Sequence, residues 1–258
     1  PMLRFSRGVA ERRPGAVLVM AVLLVLGFAL VVRWHAGRSL AAPQPVAAVA
    51  GAVLDRDGPD PAVSSALQRS VLRVHASGCG QERQATVTLV RRADTVVGLT
   101  NQHVVAGTDR VHVDGVVGSA DVSGVVADRD VAEVDGAALS DGGAEPLEAG
   151  PRPVLGSRVM VAGYPDGRFL AASGTVRSVE ARQGYGATTE VMVVDVDAVP
   201  GISGGVVIDI TGRAVGLIAA SDPVTHDVVA YPLDAIGAAD PALGAACRPA
   251  DPSATGAG

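Results

Sequence analysis

At 258 residues, the chain has room for one sizeable domain with appendages. Only 3% of the residues are aromatic, so the core must be built from Val, Ala, Leu and Ile, and the Val-rich alternating stretches favour strands. The formal net charge of −6 argues against a nucleic-acid binder, because no basic surface can neutralise a run of phosphates.

The first predicted element is a single transmembrane helix over residues 16–32. Its sequence, AVLVMAVLLVLGFALVV, carries no charge and spans about 25 Å at helical rise, near the lower limit for crossing a bilayer. A cleaved signal peptide is the alternative, since Ser39-Leu40-Ala41 resembles a cleavage site. More Arg residues precede the segment than follow it closely, so residues 1–15 are expected in the cytoplasm. The chain is therefore expected to be a single-pass protein of the cell membrane with its large C-terminal part extracytoplasmic.

Two further segments are predicted to lie outside the folded domain. Residues 33–64 are predicted to form a linker, because their Pro, Ala, Gly and Asp content gives no stable amphipathic period. Residues 249–258 are predicted to be a disordered tail.

The only two cysteines, Cys79 and Cys247, lie near the two ends of the intervening domain and are predicted to form a disulfide bond outside the cytoplasm. Two buried free thiols are the alternative.

Residues 65–248 are predicted to form one all-β domain. Short apolar segments recur there, separated by Gly, Asp, Pro and Asn, and they include SVLRVHA, ATVTLV, TVVGLT, RVHVDGVV, RVMVAGY, GTVRSVE, EVMVVDVDAV, GVVIDI, AVGLIAA and DVVAYPL. So many strands without βαβ alternation indicate antiparallel barrels or a sandwich. Residues 140–153 carry no strand pattern and divide the domain into halves at about 66–142 and 153–236. A short helix interrupted at Pro241 is predicted near the C-terminal end.

The strongest local signal is PGISGG, residues 200–205, which lies between two predicted strands. Attack on an acyl carbon requires a nucleophile on a tight turn, with backbone N–H groups converging where the carbonyl oxygen becomes negative. Glycines permit such a turn. Ser203 is therefore a candidate nucleophile, and the N–H groups of Gly201 and Ser203 are a candidate oxyanion hole. A flexible hairpin loop is the alternative interpretation.

The same residues match G-x-S-x-G, the nucleophile elbow of α/β-hydrolases. That fold places its acid and its histidine after the serine. Only His226 follows Ser203, with too little chain for the remaining βα units. An esterase of that fold is therefore disfavoured.

Two motifs upstream of the serine carry a family resemblance. The segment GLTNQHVVAG, residues 98–107, resembles the histidine motif of bacterial trypsin-like serine proteases of the Deg/HtrA kind, and Asp130-Val131-Ala132 resembles their acid motif. GSRVMVAGYPDG and AVGLIAAS are similar to two further segments of that family. The resemblance covers about residues 68–240 and implies a chymotrypsin-like double six-stranded β-barrel. In layout the chain is similar to the actinobacterial membrane-anchored MarP-like proteases, which share the flanking cysteine pair and lack a PDZ module.

This resemblance implies serine endopeptidase activity on protein or peptide substrates. His103, Asp130 and Ser203 would form the catalytic triad and act through an acyl-enzyme. The sequence contains no H-E-x-x-H motif, no pair of cysteines at the spacing of a metal site and no Gly-rich phosphate loop, so no cofactor is expected. Asp197 matches the trypsin position that attracts Arg or Lys. The residues implied in substrate binding are Asp197, Ala219, Ala220 and Ser221.

Four departures from the family pattern keep a second interpretation open. Gln102 stands where Ala is common, and ATVTLV replaces the usual G-S-G-F stretch. Ile202 replaces the Asp or Asn usual before the serine, so the activation switch of pancreatic-type enzymes is excluded. Glu133 stands where the acid motif continues with an apolar residue, and the sequence leaves open whether it faces solvent or the site. The alternative is a catalytically idle pseudoprotease that acts as a binding or sensing module.

Overall fold

The computed structural model describes residues 61–114, 119–184, 187–196, 201–222 and 224–244. Helices are few and short in these ranges, and none of them is long and apolar enough to cross a membrane. The predicted transmembrane helix at 16–32 and the predicted tail at 249–258 lie outside the described residues. The helices are α1 (Pro61–Leu67), α2 (Gln102–Val105), α3 (Gly136–Asp141) and α4 (Pro241–Gly244).

The N-terminal half of the domain is a closed ring of six antiparallel strands. The sheet order is β1-β4-β5-β6-β3-β2-β7, and β1 also pairs with β2, which closes the ring. The short strand β7 is added to β2 in parallel. The strands are β1 (Val71–Gly78), β2 (Gln81–Arg92), β3 (Thr95–Thr100), β4 (Arg110–Val113), β5 (Ala120–Val126), β6 (Val131–Asp135) and β7 (Leu147–Glu148).

The C-terminal half is a second closed barrel, with strand order β10-β13-β12-β11-β8-β9. Two 3-10 turns belong to this half, at Pro165–Gly167 and Leu233–Ala235. The strands are β8 (Arg158–Gly163), β9 (Leu170–Gly184), β10 (Ala187–Asp195), β11 (Val206–Asp209), β12 (Ala214–Ser221) and β13 (Val228–Pro232).

The alternation of inward-facing and outward-facing side chains along the strands produces three clusters of buried apolar residues. Val87 and Leu89 belong to the cluster inside the first barrel, and Ile218 belongs to the cluster inside the second. A third cluster joins the barrels, because residues of both, such as Leu99 and Leu217, pack together between them. Burying each side chain of this size contributes about 1.5–3 kcal/mol. The barrels are therefore fixed against one another, and residues from both can meet at their interface.

The predicted all-β fold is confirmed, and each half forms a six-stranded ring. Three local features differ from the prediction. Leu147–Glu148 forms a strand within the segment expected to have none, because its backbone pairs with Val90 and Arg91. Helix α1 begins within the predicted linker. Pro241 begins α4 and does not interrupt it, since proline is tolerated in the first turn of a helix.

Candidate active site

His103 and Asp130 are brought together by two neighbouring strands. His103 lies in α2, just after β3, and Asp130 directly precedes β6. Because β3 and β6 pair antiparallel with Thr100 opposite Ala132, the end of β3 lies beside the start of β6. His103 Nδ1 is 2.5 Å from Asp130 Oδ2, and the backbone N–H of His103 donates to Asp130 Oδ1 at 2.8 Å. The carboxylate therefore fixes both the ring and the backbone of the histidine.

Asp130 is held in place by buried polar groups. Its side chain is only 4% exposed, whereas that of His103 is 43% exposed. Asn101 Nδ2 donates to the Asp130 carbonyl at 2.8 Å, and the Asp130 N–H donates to the Tyr231 hydroxyl at 3.4 Å. Burial raises the pKa of Tyr231, so this phenol stays protonated. The site therefore combines a buried acid with a histidine open to the surface.

The loop that carries Ser203 is anchored by an apolar side chain. Ile202, which stands where the family has Asp or Asn, is 1% exposed and packs inside the second barrel. The Gly204 N–H donates to the Ile218 carbonyl at 3.0 Å, and the Gly205 N–H donates to the Ile202 carbonyl at 3.0 Å. Gly201 and Gly204 have φ of +92° and +80°, which L side chains rarely adopt. The glycines predicted from the sequence are therefore required by the turn itself.

Ser203 Oγ donates a hydrogen bond to the carbonyl oxygen of Ala219, at 3.1 Å. Within the described ranges it makes no hydrogen bond to His103. The N–H groups of Gly201 and Ser203 likewise donate to no acceptor in the part of the chain that the structure describes. Within the described ranges, both donors therefore remain available for an oxyanion beside the serine.

The predicted substrate-binding residues are only partly within the described ranges. Ala219, Ala220 and Ser221 form the half-buried end of β12, next to Ser203. Asp197 lies outside the described residues. Asp195, the other acid near this stretch, pairs with Arg177.

Arg177 also pairs with a buried acid, Asp227. Its Nη2 is 3.1 Å from Asp195 Oδ2, and its Nη1 is 2.5 Å from Asp227 Oδ2. Asp227 belongs to the loop that leads into β13, directly before Val228, which pairs with Ser221. One guanidinium therefore ties the end of β10 to the strand beside β12, and Asp195 and Asp227 share its single positive charge.

Glu133 does not belong to the site. Its carboxylate lies 3.4 Å from Arg92 Nη1, and Arg92 Nη2 donates to the Ile236 carbonyl at 2.8 Å. Burial raises the pKa of Glu133, while the Arg92 charge opposes that shift. The question that the sequence left open is answered: Glu133 is half-buried and paired with Arg92.

The remaining candidate groups are two histidines of the first barrel, possible metal ligands and Cys79. His75 and His112 are cross-strand partners on β1 and β4, and His75 Nε2 is 3.1 Å from Asp114 Oδ1. Among the described residues, no three His, Cys, Asp or Glu side chains are grouped to hold a metal ion. Cys79 is not a free cysteine. Its predicted partner, Cys247, lies outside the described residues, so their pairing stays a prediction.

Sequence reasoning missed two side chains that support the site. Tyr231 lies 101 residues from Asp130 in the chain and was predicted only as part of a strand. Arg83 Nη1 donates to the carbonyl oxygen of His103 at 2.6 Å. The sequence around Tyr231 and Arg83 carries no local signal of these contacts, because the tyrosine meets Asp130 only where the two barrels pack together and the arginine meets His103 only once the first barrel has folded.

The family model of the trypsin-like peptidase domain matches residues 85–217, just over half of the chain. No match was found among curated proteins.

Several solved structures are similar. The active form of the Rv3671c protease from M. tuberculosis is 26% identical, with a TM-score of 0.56, and the match covers 73% of this chain and 92% of that one. Its inactive form is 25% identical with the same TM-score of 0.56, over 70% and 98% of the two chains. The HtrA-type protease AlgW is 20% identical with a TM-score of 0.55, over 69% and 61%. These matches agree with the two barrels and with the family model. The chain therefore belongs to the trypsin-like peptidase family, a family of serine endopeptidases.

Proposed function

We propose that this chain is a membrane-anchored, extracytoplasmic serine endopeptidase whose catalytic triad is His103, Asp130 and Ser203. The observation that carries the proposal is the buried Asp130 carboxylate, which binds His103 Nδ1 at 2.5 Å. A serine on a glycine turn with two free backbone N–H groups completes the requirements for acyl transfer. The order His, Asp, Ser along the chain supports the same assignment.

The reaction begins with a rotation of Ser203. When a peptide binds, Oγ leaves the Ala219 carbonyl and turns to His103 Nε2, because Nδ1 is held by Asp130. Oγ then attacks the scissile carbonyl carbon while Nε2 takes the hydroxyl proton. The carbonyl oxygen becomes an oxyanion and accepts hydrogen bonds from the N–H groups of Gly201 and Ser203.

The intermediate then collapses to an acyl-enzyme. The C–N bond breaks, and the imidazolium of His103 gives its proton to the leaving amine. A water molecule attacks the ester with His103 again as the base, which releases the acid product and restores the Ser203 hydroxyl. Asp130 stays ionised and stabilises the imidazolium in both halves of the reaction.

The substrate backbone is assigned to the end of β12. Ala219, Ala220 and Ser221 lie beside Ser203 and are half-buried, which suits pairing with an extended peptide. Asp195 pairs with Arg177, so Asp197 is the acid that we assign to the attraction of a basic P1 side chain. Substitution Asp197→Asn should then lower the cleavage of Arg and Lys sites in a peptide library and leave the cleavage of other sites unchanged.

The membrane part of the proposal rests on sequence. The uncharged segment 16–32 and the excess of Arg before it support a single-pass anchor with the protease domain outside the cytoplasm. Carbonate extraction of membranes should leave the full chain in the pellet, while a variant that lacks residues 1–40 should be soluble. A chain of reduced mass, cleaved after Ala41, would indicate a signal peptide.

The extracytoplasmic location also favours the pairing of Cys79 with Cys247. Mass mapping of the non-reduced protein should recover one peptide pair that contains both residues. Free thiols at both positions would contradict the pairing.

The catalytic proposal is tested with a fluorophosphonate serine-hydrolase probe on the full chain in mild detergent. Wild-type protein should be labelled, and the variants Ser203→Ala and His103→Ala should not be. Label retained by Ser203→Ala would place the reactive serine elsewhere.

A pseudoprotease is the second candidate. The observation that favours it is the Ser203 hydroxyl, which points to the Ala219 carbonyl and not to His103. Folded wild-type protein that takes no label and cleaves no peptide would favour this candidate.

A further inference from the structure

Three buried threonines lie together at the barrel interface, and two of them belong to ATVTLV, which replaces the family's usual G-S-G-F stretch. Thr86 and Thr88 are on β2, and Thr100 ends β3. All three are 0% exposed. Since Val87 and Leu89 point into the first barrel, the alternating Thr86 and Thr88 point out of it. We name these three residues the threonine seam.

The seam contacts the second barrel through hydrogen bonds. Thr88 Oγ1 donates to the Gly204 carbonyl at 3.0 Å, and the Tyr164 N–H donates to Thr86 Oγ1 at 3.0 Å. Thr100 Oγ1 donates to the Thr86 carbonyl at 2.7 Å, which ties β3 to β2 at the same point. Two threonine hydroxyls of the first barrel are therefore bonded to backbone groups of the second.

The two bonded segments flank the oxyanion-hole residues. Gly204 follows Ser203 directly. Tyr164 precedes Pro165, and a Cβ on Gly201 would lie 3.5 Å from Pro165 Cα, so this turn lies against the residue that supplies the other N–H. The seam therefore holds the serine loop at one end and supports its other end through the Pro165 turn.

The contact between the threonine seam and the serine loop leaves almost no space for a side chain at position 204. A Cβ on Gly204 would lie 2.1 Å from the Thr86 carbonyl oxygen and 2.7 Å from Thr100 Oγ1. Removing the Thr88 hydroxyl would leave the buried Gly204 carbonyl without this donor, and the loop could regain a partner only by moving. A misplacement of about 1 Å at a reacting group can cost about 100-fold in rate.

We propose that Thr86 and Thr88 are positioning residues, which align Ser203 and the N–H groups of Gly201 and Ser203 from across the barrel interface. This inference rests on the proposed function. It also gives ATVTLV a role: where the family's glycine-rich stretch is missing, the Thr88 hydroxyl binds the serine loop and the Thr86 hydroxyl binds the turn beside it.

The test compares near-isosteric variants of the full chain in mild detergent. Thr88→Val removes the hydroxyl and keeps the shape, and Thr88→Ser keeps the hydroxyl. Thr108→Val is the matched control, because Thr108 is 4% exposed and also donates its hydroxyl to a backbone carbonyl, that of Val105 at 2.7 Å. Saturation kinetics with the fluorophosphonate give the maximal inactivation rate and the half-saturating concentration, and thermal unfolding gives stability.

Thr88→Val should lower the maximal inactivation rate by about 10- to 100-fold and leave the half-saturating concentration within about twofold. Thr88→Ser should restore most of the rate, and Thr108→Val should lose stability but keep the rate. Thr86→Val removes the acceptor of the Tyr164 N–H and should lower the maximal inactivation rate in the same way. It replaces Thr88→Val in the test if that variant does not fold.

Two outcomes would overturn the inference: a wild-type rate in the folded Thr88→Val and Thr86→Val variants, or an equal loss of rate in Thr108→Val. Absence of label on the wild type would instead contradict the proposed function, so the two failures are distinguishable.

Discussion

Asp130 binds His103 twice, once at the ring Nδ1 and once at the backbone N–H. In Asp130→Asn one oxygen is replaced by an amide that donates hydrogen bonds, so the ring would be held in the tautomer that cannot accept the Ser203 proton. We expect the rate of peptide hydrolysis to fall by about 10⁴-fold with the fold retained.

Hydrolysis of fluorescently labelled casein, with thermal unfolding beside it, measures both effects. Asp135→Asn is the control, because the Asp135 side chain caps α3 and does not contact His103. Comparable activity in Asp130→Asn and wild type would remove Asp130 from the triad.

The Tyr231 hydroxyl accepts the Asp130 N–H at 3.4 Å in a buried place. Tyr231→Phe leaves that N–H unpaired and should lower the free energy of unfolding by about 1 kcal/mol. Burial raises the pKa of Tyr231, with the nearby Asp130 charge adding to the shift. A group with a raised pKa in the fold contributes stability below its unfolded pKa and loses it as the pH rises through the folded value.

The stability difference between wild type and Tyr231→Phe should therefore be constant from about pH 6 to 9 and shrink only above about pH 10. Urea unfolding at several pH values gives this difference directly. A difference that grows between pH 7 and 10 would show that the phenol ionises more readily in the folded protein than in the unfolded chain, and would contradict the raised pKa.

Glu133 is expected to make the protein less stable as the pH rises. Burial raises its pKa, so the fold favours the protonated acid, and this contribution is present below the unfolded pKa near 4.5 and lost as the pH rises through the folded pKa. In Glu133→Gln the group no longer titrates. The melting temperature of wild type relative to that of the variant should therefore fall between pH 4 and 7.

Glu148→Gln is the control for this experiment, since Glu148 is exposed and pairs with Arg91, the neighbour of Arg92. Equal pH dependence in wild type and Glu133→Gln would contradict the raised pKa. A loss of stability at pH 7 in Glu133→Gln would mean that the Arg92 pair outweighs the cost of burial.

The sequence could predict the triad candidates because each lies in a short motif with a local requirement. Ser203 needs glycines for its turn, and Asp130 starts a strand. The all-β class followed from the alternation of Val with polar residues. The contacts that support the site could not be predicted in the same way: Thr88 meets Gly204, 116 residues away, only because two separate barrels close and pack. Ile202 departs from the family pattern, and its role became clear only from the structure, where its side chain is buried inside the second barrel and anchors the serine loop.

The two glycines of the serine loop differ in the space around their Cβ positions. Gly201→Ala places an L residue at φ +92°, which costs about 1–3 kcal/mol, but its Cβ would lie 3.5 Å from the nearest atom, so the protein should fold. Relief of this strain turns the Gly201 N–H away from the oxyanion, and fluorophosphonate labelling should slow by about 100-fold. Gly143→Ala is a matched control, because Gly143 has φ +94° and open space around its Cβ position.

Both variants should lose similar stability in thermal unfolding, while only Gly201→Ala should lose labelling. Gly204→Ala should fail to fold, since its Cβ would lie 2.1 Å from the Thr86 carbonyl oxygen on a packed strand. Labelling at the wild-type rate in folded Gly201→Ala would exclude its N–H from the oxyanion hole. If labelling of Gly143→Ala slows equally, general destabilisation of the protein, and not the Gly201 N–H, would explain the loss of labelling.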